Sequence, residues 1–278
     1  MKVELKTWAA LGLATALAGA GLAGCSGEAG EGGEGGEAAQ TAATGEAGEG
    51  GEAGEGAAGE GGEGGVSVGE ASTDPVVYGS ALAVAEAHVI AARDAYAAGK
   101  TEAAAEMFAH PVSEVLLDMD PVFAKLGVAD FKPLFSDASQ AALAGASVAE
   151  VNAKYDAIIA ALRAAAQKAP DNGASESKVA GGIIADQIER AVAMYARASE
   201  GDAYEPYLDG YGYFKTAQTL FDASSAAISS DNKALHDRIA KALELLATAY
   251  PGADRPAKLD VAQGALSGAS SGVMLAAS

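Results

Sequence analysis

From Pro75 onward apolar side chains recur every third or fourth position, the period of a helix with one buried face. Leu82, Val89 and Tyr96 mark a stripe on a first helix that ends at Gly99, where glycine suits a left-handed cap. Thr101 is placed to cap a short second helix, Glu102 to Ala109. His110-Pro111 then restarts the chain, because proline is favoured in a first helical turn, and Val112, Val115, Leu116 and Met119 supply the next apolar face. Asp120-Pro121 predicts a break or kink.

Later stripes follow the same logic. Val148, Val151, Tyr155, Ile158, Ile159 and Leu162 line a helix that ends before Pro170, and Val179, Ile183, Ile184, Ile188 and Val192 line the next. Between Tyr204 and Phe214 four tyrosines crowd around Pro206, Gly210 and Gly212, which reads as a turn ahead of a helix through Phe221 to Ile228. Leu235, Ile239, Leu243 and Leu246 mark a final long helix ended by Pro251. No segment alternates with the period of a strand. The pattern predicts an all-α fold, an antiparallel helical bundle of about six to eight helices over residues 76–278.

Composition changes the picture upstream. Residues 26–74 hold 18 of the 36 glycines, 11 glutamates and no lysine or arginine, so this stretch has no apolar face to bury. Its Glu-Gly segments predict a disordered acidic linker whose end-to-end distance is roughly 35–42 Å by the square-root rule. The linker carries much of the net charge of −20. What remains on the bundle is still acidic, which argues against nucleic acid as a partner, since phosphates demand clustered Lys and Arg.

The first residues read as a signal peptide over 1–24: lysines at Lys2 and Lys6, a short apolar run from Trp8 to Leu22, and small residues before Cys25. Leu22-Ala23-Gly24-Cys25 resembles the bacterial lipoprotein cleavage box, in which the cysteine is acylated and becomes the new N-terminus. The resemblance implies a lipid anchor on Cys25, the lone cysteine, with residues 25–75 as anchor and linker. It also implies an extracytoplasmic protein, with Ser26 similar to the sorting residue of lipoproteins on the periplasmic face of an outer membrane. Several buried acyl chains, each CH2 contributing about 0.8 kcal/mol, hold far more durably than one.

Candidate chemistry centres on histidine, of which the chain has three. His110, Glu114 and Asp118 are spaced to lie along one side of a continuous helix, with Met107 a turn before. An antiparallel neighbour carrying His88 would complete a set of two imidazoles and one or two carboxylates, which suits iron, copper or zinc. The competing reading is structural: His110 caps a helix and His88 packs with one hydrogen bond. The tyrosine run, with Glu205 and Asp209, reads either as a cradle for a cation or sugar, or as core packing with hydroxyls partnered at the rim. Catalytic patterns are absent: there is no Gly-x-Ser-x-Gly elbow, His-Glu-x-x-His or phosphate-cradling glycine loop, and Ser113 beside His110 has no identifiable triad. Enzyme activity is not expected.

Glu86-Ala87-His88, Tyr96-Ala97-Ala98-Gly99 and His110-Pro111-Val112-Ser113-Glu114 resemble motifs of an uncharacterised group of bacterial extracytoplasmic helical proteins, and Ala185 through Leu220 is similar to that group's second half. A remoter similarity is to the imelysin-like and iron-permease-associated periplasmic bundles, which implies iron binding through a His-x-x-Glu pair. This chain departs from that pattern, with Ala91 three positions after His88. The expectation is therefore a membrane-anchored lipoprotein whose bundle binds a transition metal, partnered by the membrane and by an envelope protein or metal transporter. The rival is a metal-free interaction module of the envelope.

Overall fold

The computed structural model describes residues 66–278, and among these every regular element is a helix, with no strand. Residues 1–65, on which the expected signal peptide, the Cys25 anchor and most of the expected linker fall, lie outside the described residues. Ten α-helices follow in order: α1 Val68–Ala71, α2 Pro75–Ala97, α3 Thr101–Pro111, α4 Asp120–Leu126, α5 Lys132–Leu143, α6 Val148–Ala166, α7 Glu176–Ser199, α8 Glu205–Asp231, α9 Lys233–Ala249 and α10 Gln263–Ala277. A π-helical segment, Val112–Leu116, interrupts the run between α3 and α4. The all-α bundle expected from the periodicity is what forms, with more helices than six to eight.

Helix α2 is the axis of the fold. Asp74 caps its start by accepting from the Val76 and Val77 amides, and Pro75 occupies the first turn, where its missing N–H is no loss. The helix ends before Gly99, whose φ of +79° is the left-handed conformation glycine adopts without penalty. Helices α3, α6, α7 and α8 all pack on α2, and most of its length is buried. It is long and apolar enough to cross a membrane, yet 89% of its apolar window is buried inside the bundle, so packing accounts for its composition.

Polar anchors fix the helices around this axis. Tyr78 Oη donates to the Ala165 carbonyl at 2.9 Å, and Arg163 grips the buried Glu86 carboxylate with two bonds of 2.7 and 2.8 Å, together tying α6 to α2. Tyr211 Oη donates to Asp94 Oδ2 at 2.7 Å, tying α8 to α2. Tyr204 and Tyr207 donate to the carbonyls of Ala253 and Gly252, each at 2.8 Å, holding the segment after α9 against α8.

Four departures from the periodicity have physical causes. The bundle begins before residue 76: Val66 and Ala71 are buried, so the end of the acidic stretch joins the core through α1. Pro111 closes α3 instead of opening a new helix, and the chain continues into the π segment with the Leu117 amide bonding the Val112 carbonyl, five residues back. The tyrosine run is the first turns of α8 rather than a turn. Gly210 and Gly212 serve close packing there: a Cβ on Gly210 would strike the Tyr250 hydroxyl, and one on Gly212 would overlap the Ala87 carbonyl oxygen of α2. Finally, α10 follows the helix expected to be last, and buries only Leu266, Ser270 and Val273.

Candidate metal centre

His88 sits just past the middle of α2 and is 2% exposed. Its Nδ1 lies 2.8 Å from the Val84 carbonyl, which only accepts, so Nδ1 carries a proton and Nε2 is directed away from its own helix. Nε2 faces two carboxylates from different elements: Glu114 Oε2 of the π segment at 3.2 Å and Asp209 Oδ1 of α8 at 3.6 Å. The backbone carbonyl behind the ring fixes its orientation and directs Nε2 at the two carboxylates.

The second imidazole comes from the end of α3. His110 Nδ1 lies 3.5 Å from Glu114 Oε1 and 4.0 Å from Glu205 Oε1, at the start of α8. The two imidazole rings are 6.0 Å apart, inclined at 71°. Tyr213 forms a wall, its ring edge-on to His88 at 5.8 Å, backed by Arg190, whose guanidinium lies 5.9 Å from the tyrosine ring centre. The donor atoms of His88, His110 and Asp209 all fall within 4.8 Å of one another.

Local sequence explains how these side chains converge. A proline at 111 cannot donate to the carbonyl four residues back, and the helix is carried forward with π spacing, a deformation common at functional sites. His110 and Glu114 still meet as an i, i+4 pair. Asp118, the next expected ligand, falls instead on the exposed turn after the π segment and takes no part in the cluster. Asp209 supplies the carboxylate in its place, delivered by the close approach of α8 to α2 at Gly212. Met107, a turn before His110, is buried in the core.

Electrostatics bind the groups to each other. Burial works against a charged His88, but the hydrogen bond to Glu114 and the charges of Asp209 and Glu114 outweigh it, so its pKa lies above the ordinary imidazole value. The same bond holds the Glu114 carboxyl below its usual range against the opposing effect of burial. Asp209 is pushed up by burial, only partly countered by His88. Two atoms of the cluster are sealed from solvent without a hydrogen-bond partner, Asp209 Oδ1 and His110 Nδ1. An unsatisfied buried polar group costs about 1–3 kcal/mol, so this is an arrangement that a cation would stabilise.

Ser113 is exposed, and its Oγ donates to the His110 backbone carbonyl at 3.2 Å rather than engaging the ring. The third histidine, His236, stands apart, beside Ser225, Asp237 and Phe221. A small apolar cavity of about 40 Å³, lined by Tyr78, Gly79, Ala166 and Ile183 among others, lies roughly 14 Å back along α2 at the helical rise per residue. The tyrosines expected to form a cradle divide: Tyr204, Tyr207 and Tyr211 are committed to structural hydrogen bonds, and Tyr213 lines the cluster. Compared with family models, with curated proteins and with solved structures, the chain matches none.

Proposed function

We propose that this protein is an envelope lipoprotein, anchored through Cys25, whose bundle binds a transition-metal cation of the iron, copper or zinc group through His88, His110, Glu114 and Asp209. The observation that carries the reading is the convergence of two imidazoles and two carboxylates from four elements, with two of their inward atoms lacking any hydrogen-bond partner. A buried polar atom without a partner calls for an explanation, and a bound cation supplies one for both atoms of this cluster. Mixed imidazole and carboxylate donors suit first-row divalent ions better than calcium or magnesium, which favour oxygen alone.

Full-length protein, stripped by chelator and dialysed against buffered iron(II), copper(II) or zinc(II), takes up at least one of these ions per chain by elemental analysis. The His88→Ala/His110→Ala variant, folded by circular dichroism, takes up none. Equal uptake by the double variant refutes the assignment, and a folded wild type that binds no ion leaves the metal-free interaction module. For the anchor, Cys25→Ser protein moves from the membrane to the soluble fraction and loses incorporation of labelled fatty acid. Retention of both in the variant refutes the lipoprotein reading.

A further inference from the structure

We infer that the cluster is a two-ion centre bridged by Glu114, with His88 and Asp209 completing one half and His110 and Glu205 the other. This rests on the metal-binding reading above and adds to it a count of ions and a division of ligands.

The division is visible in how Glu114 spends its two oxygens. Oε2 faces His88 at 3.2 Å, and Oε1 faces His110 at 3.5 Å. Each imidazole also has a carboxylate of its own: Asp209 Oδ1 stands 3.6 Å from His88 Nε2, and Glu205 Oε1 stands 4.0 Å from His110 Nδ1. Two donors each about 2.0–2.2 Å from one ion are separated by about 3.0–3.5 Å at ordinary coordination angles, and by no more than about 4.4 Å. All four separations lie close to or within that span. The widest involves Glu205, whose side chain is 60% exposed and has room to swing inward. A carboxylate shared between two ions suits the spacing of about 3.5–4 Å found in two-metal sites.

The two unsatisfied atoms fall one in each half, Asp209 Oδ1 in the first and His110 Nδ1 in the second, so an ion in each half would satisfy both. The alternative is a single ion shared by His88, His110 and Asp209, whose donor atoms lie within 4.8 Å of one another. The halves also differ in exposure: His88 and Asp209 are 2% and 15% exposed, whereas His110 and Glu205 are 23% and 60% exposed. The inner ion is therefore held tightly, and the outer one exchanges with solvent.

Zinc binding to the full chain, measured by equilibrium dialysis against chelator-buffered Zn²⁺ with elemental analysis, tests this. Wild type binds two zinc ions per chain in two steps. Glu205→Gln, a substitution at an exposed side chain, keeps the tight step and loses the weaker one or weakens it at least tenfold; His110→Ala does the same. One ion per chain in wild type and both variants overturns the two-ion centre while leaving a single-ion site. Two ions with unchanged affinities in both variants also overturns it, because the second ion is then bound elsewhere. No uptake by folded wild type removes the metal-binding reading itself, and this inference with it.

Discussion

Replacing Gly212 by alanine sets two effects in opposition. An alanine in a helix interior is favoured over glycine by about 1 kcal/mol, because glycine loses more backbone freedom on folding. At position 212, however, the new Cβ overlaps the Ala87 carbonyl oxygen, and comes within 2.9 Å of its carbon and 3.2 Å of the Ala91 Cβ. These are atoms of the α2 backbone and of a methyl with no rotamer to change, so relief requires α8 to move away from α2. Forcing added volume into a packed interface costs typically about 1–3 kcal/mol. The clash is with backbone, which places it at the upper end, and the expected net loss is about 1–2 kcal/mol. For a domain of this size that lowers Tm by about 2–8 °C. The control is Gly268→Ala on α10, where nothing lies within 4 Å of the added Cβ. There the propensity gain stands alone and stability rises by about 0.4–1 kcal/mol. Urea denaturation of both variants beside wild type measures the contrast. Because the shift also draws Asp209 away from His88, Gly212→Ala weakens zinc binding as well. A Gly212→Ala protein as stable as Gly268→Ala refutes the account of how α8 is seated.

Three further outcomes follow from the same packing. Arg163→Met leaves the Glu86 carboxylate buried without its bidentate partner, and urea midpoints will show a loss of about 3–5 kcal/mol, most of it recovered by adding Glu86→Gln; a loss below about 1 kcal/mol contradicts the pairing. Burial raises the phenols of Tyr78, Tyr207, Tyr211, Tyr213 and Tyr250 well above the free value of about 10, and pushes Tyr204 up to about 12. The folded state then binds more protons than the unfolded one at high pH, so this contribution to stability is complete below pH about 10 and is lost as pH rises through the folded values. Phenolate absorbance is expected to appear together with loss of helical circular dichroism, and full ionisation of a still-folded protein would contradict it. A chain starting at Pro75 lacks the burial of Val66 and Ala71 and the Asp74 cap, and will be less stable by about 2–4 kcal/mol than one starting at Val66; equal midpoints would restore a boundary at residue 76.

Much of the fold is legible in the order of side chains, because Leu82, Ile158, Ile184 and Ile239 recur with the helical period and each is buried. The elements that periodicity misses are those whose faces are built from small residues. Helix α10 reads as Gly, Ala and Ser with one leucine and one valine on its buried face, and the start of α8 reads as a turn because glycine and proline punctuate it. At the start of α8, Gly210 and Gly212 serve close packing against Tyr250 and α2, a cause that only the neighbouring elements reveal. The site divides in the same way. His110 and Glu114 are paired by spacing along one stretch, but Asp118 fails because Pro111 changes the register of the turn that follows. Asp209 and Glu205 stand out in the sequence only as part of a separate aromatic run, about a hundred residues away. Their junction with His88 and His110 depends on Gly212 letting α8 lie against α2, which is a fact of tertiary packing.

Anomalous diffraction at the zinc absorption edge, from crystals of the zinc-loaded protein, probes the metal assignment at its root. The expected result is a peak at bonding distance, about 2.0–2.2 Å, from both His88 Nε2 and an Asp209 oxygen, with Glu114 alongside. A well-ordered His88 and Asp209 with no anomalous density between them, while zinc sits elsewhere on the molecule, would contradict it.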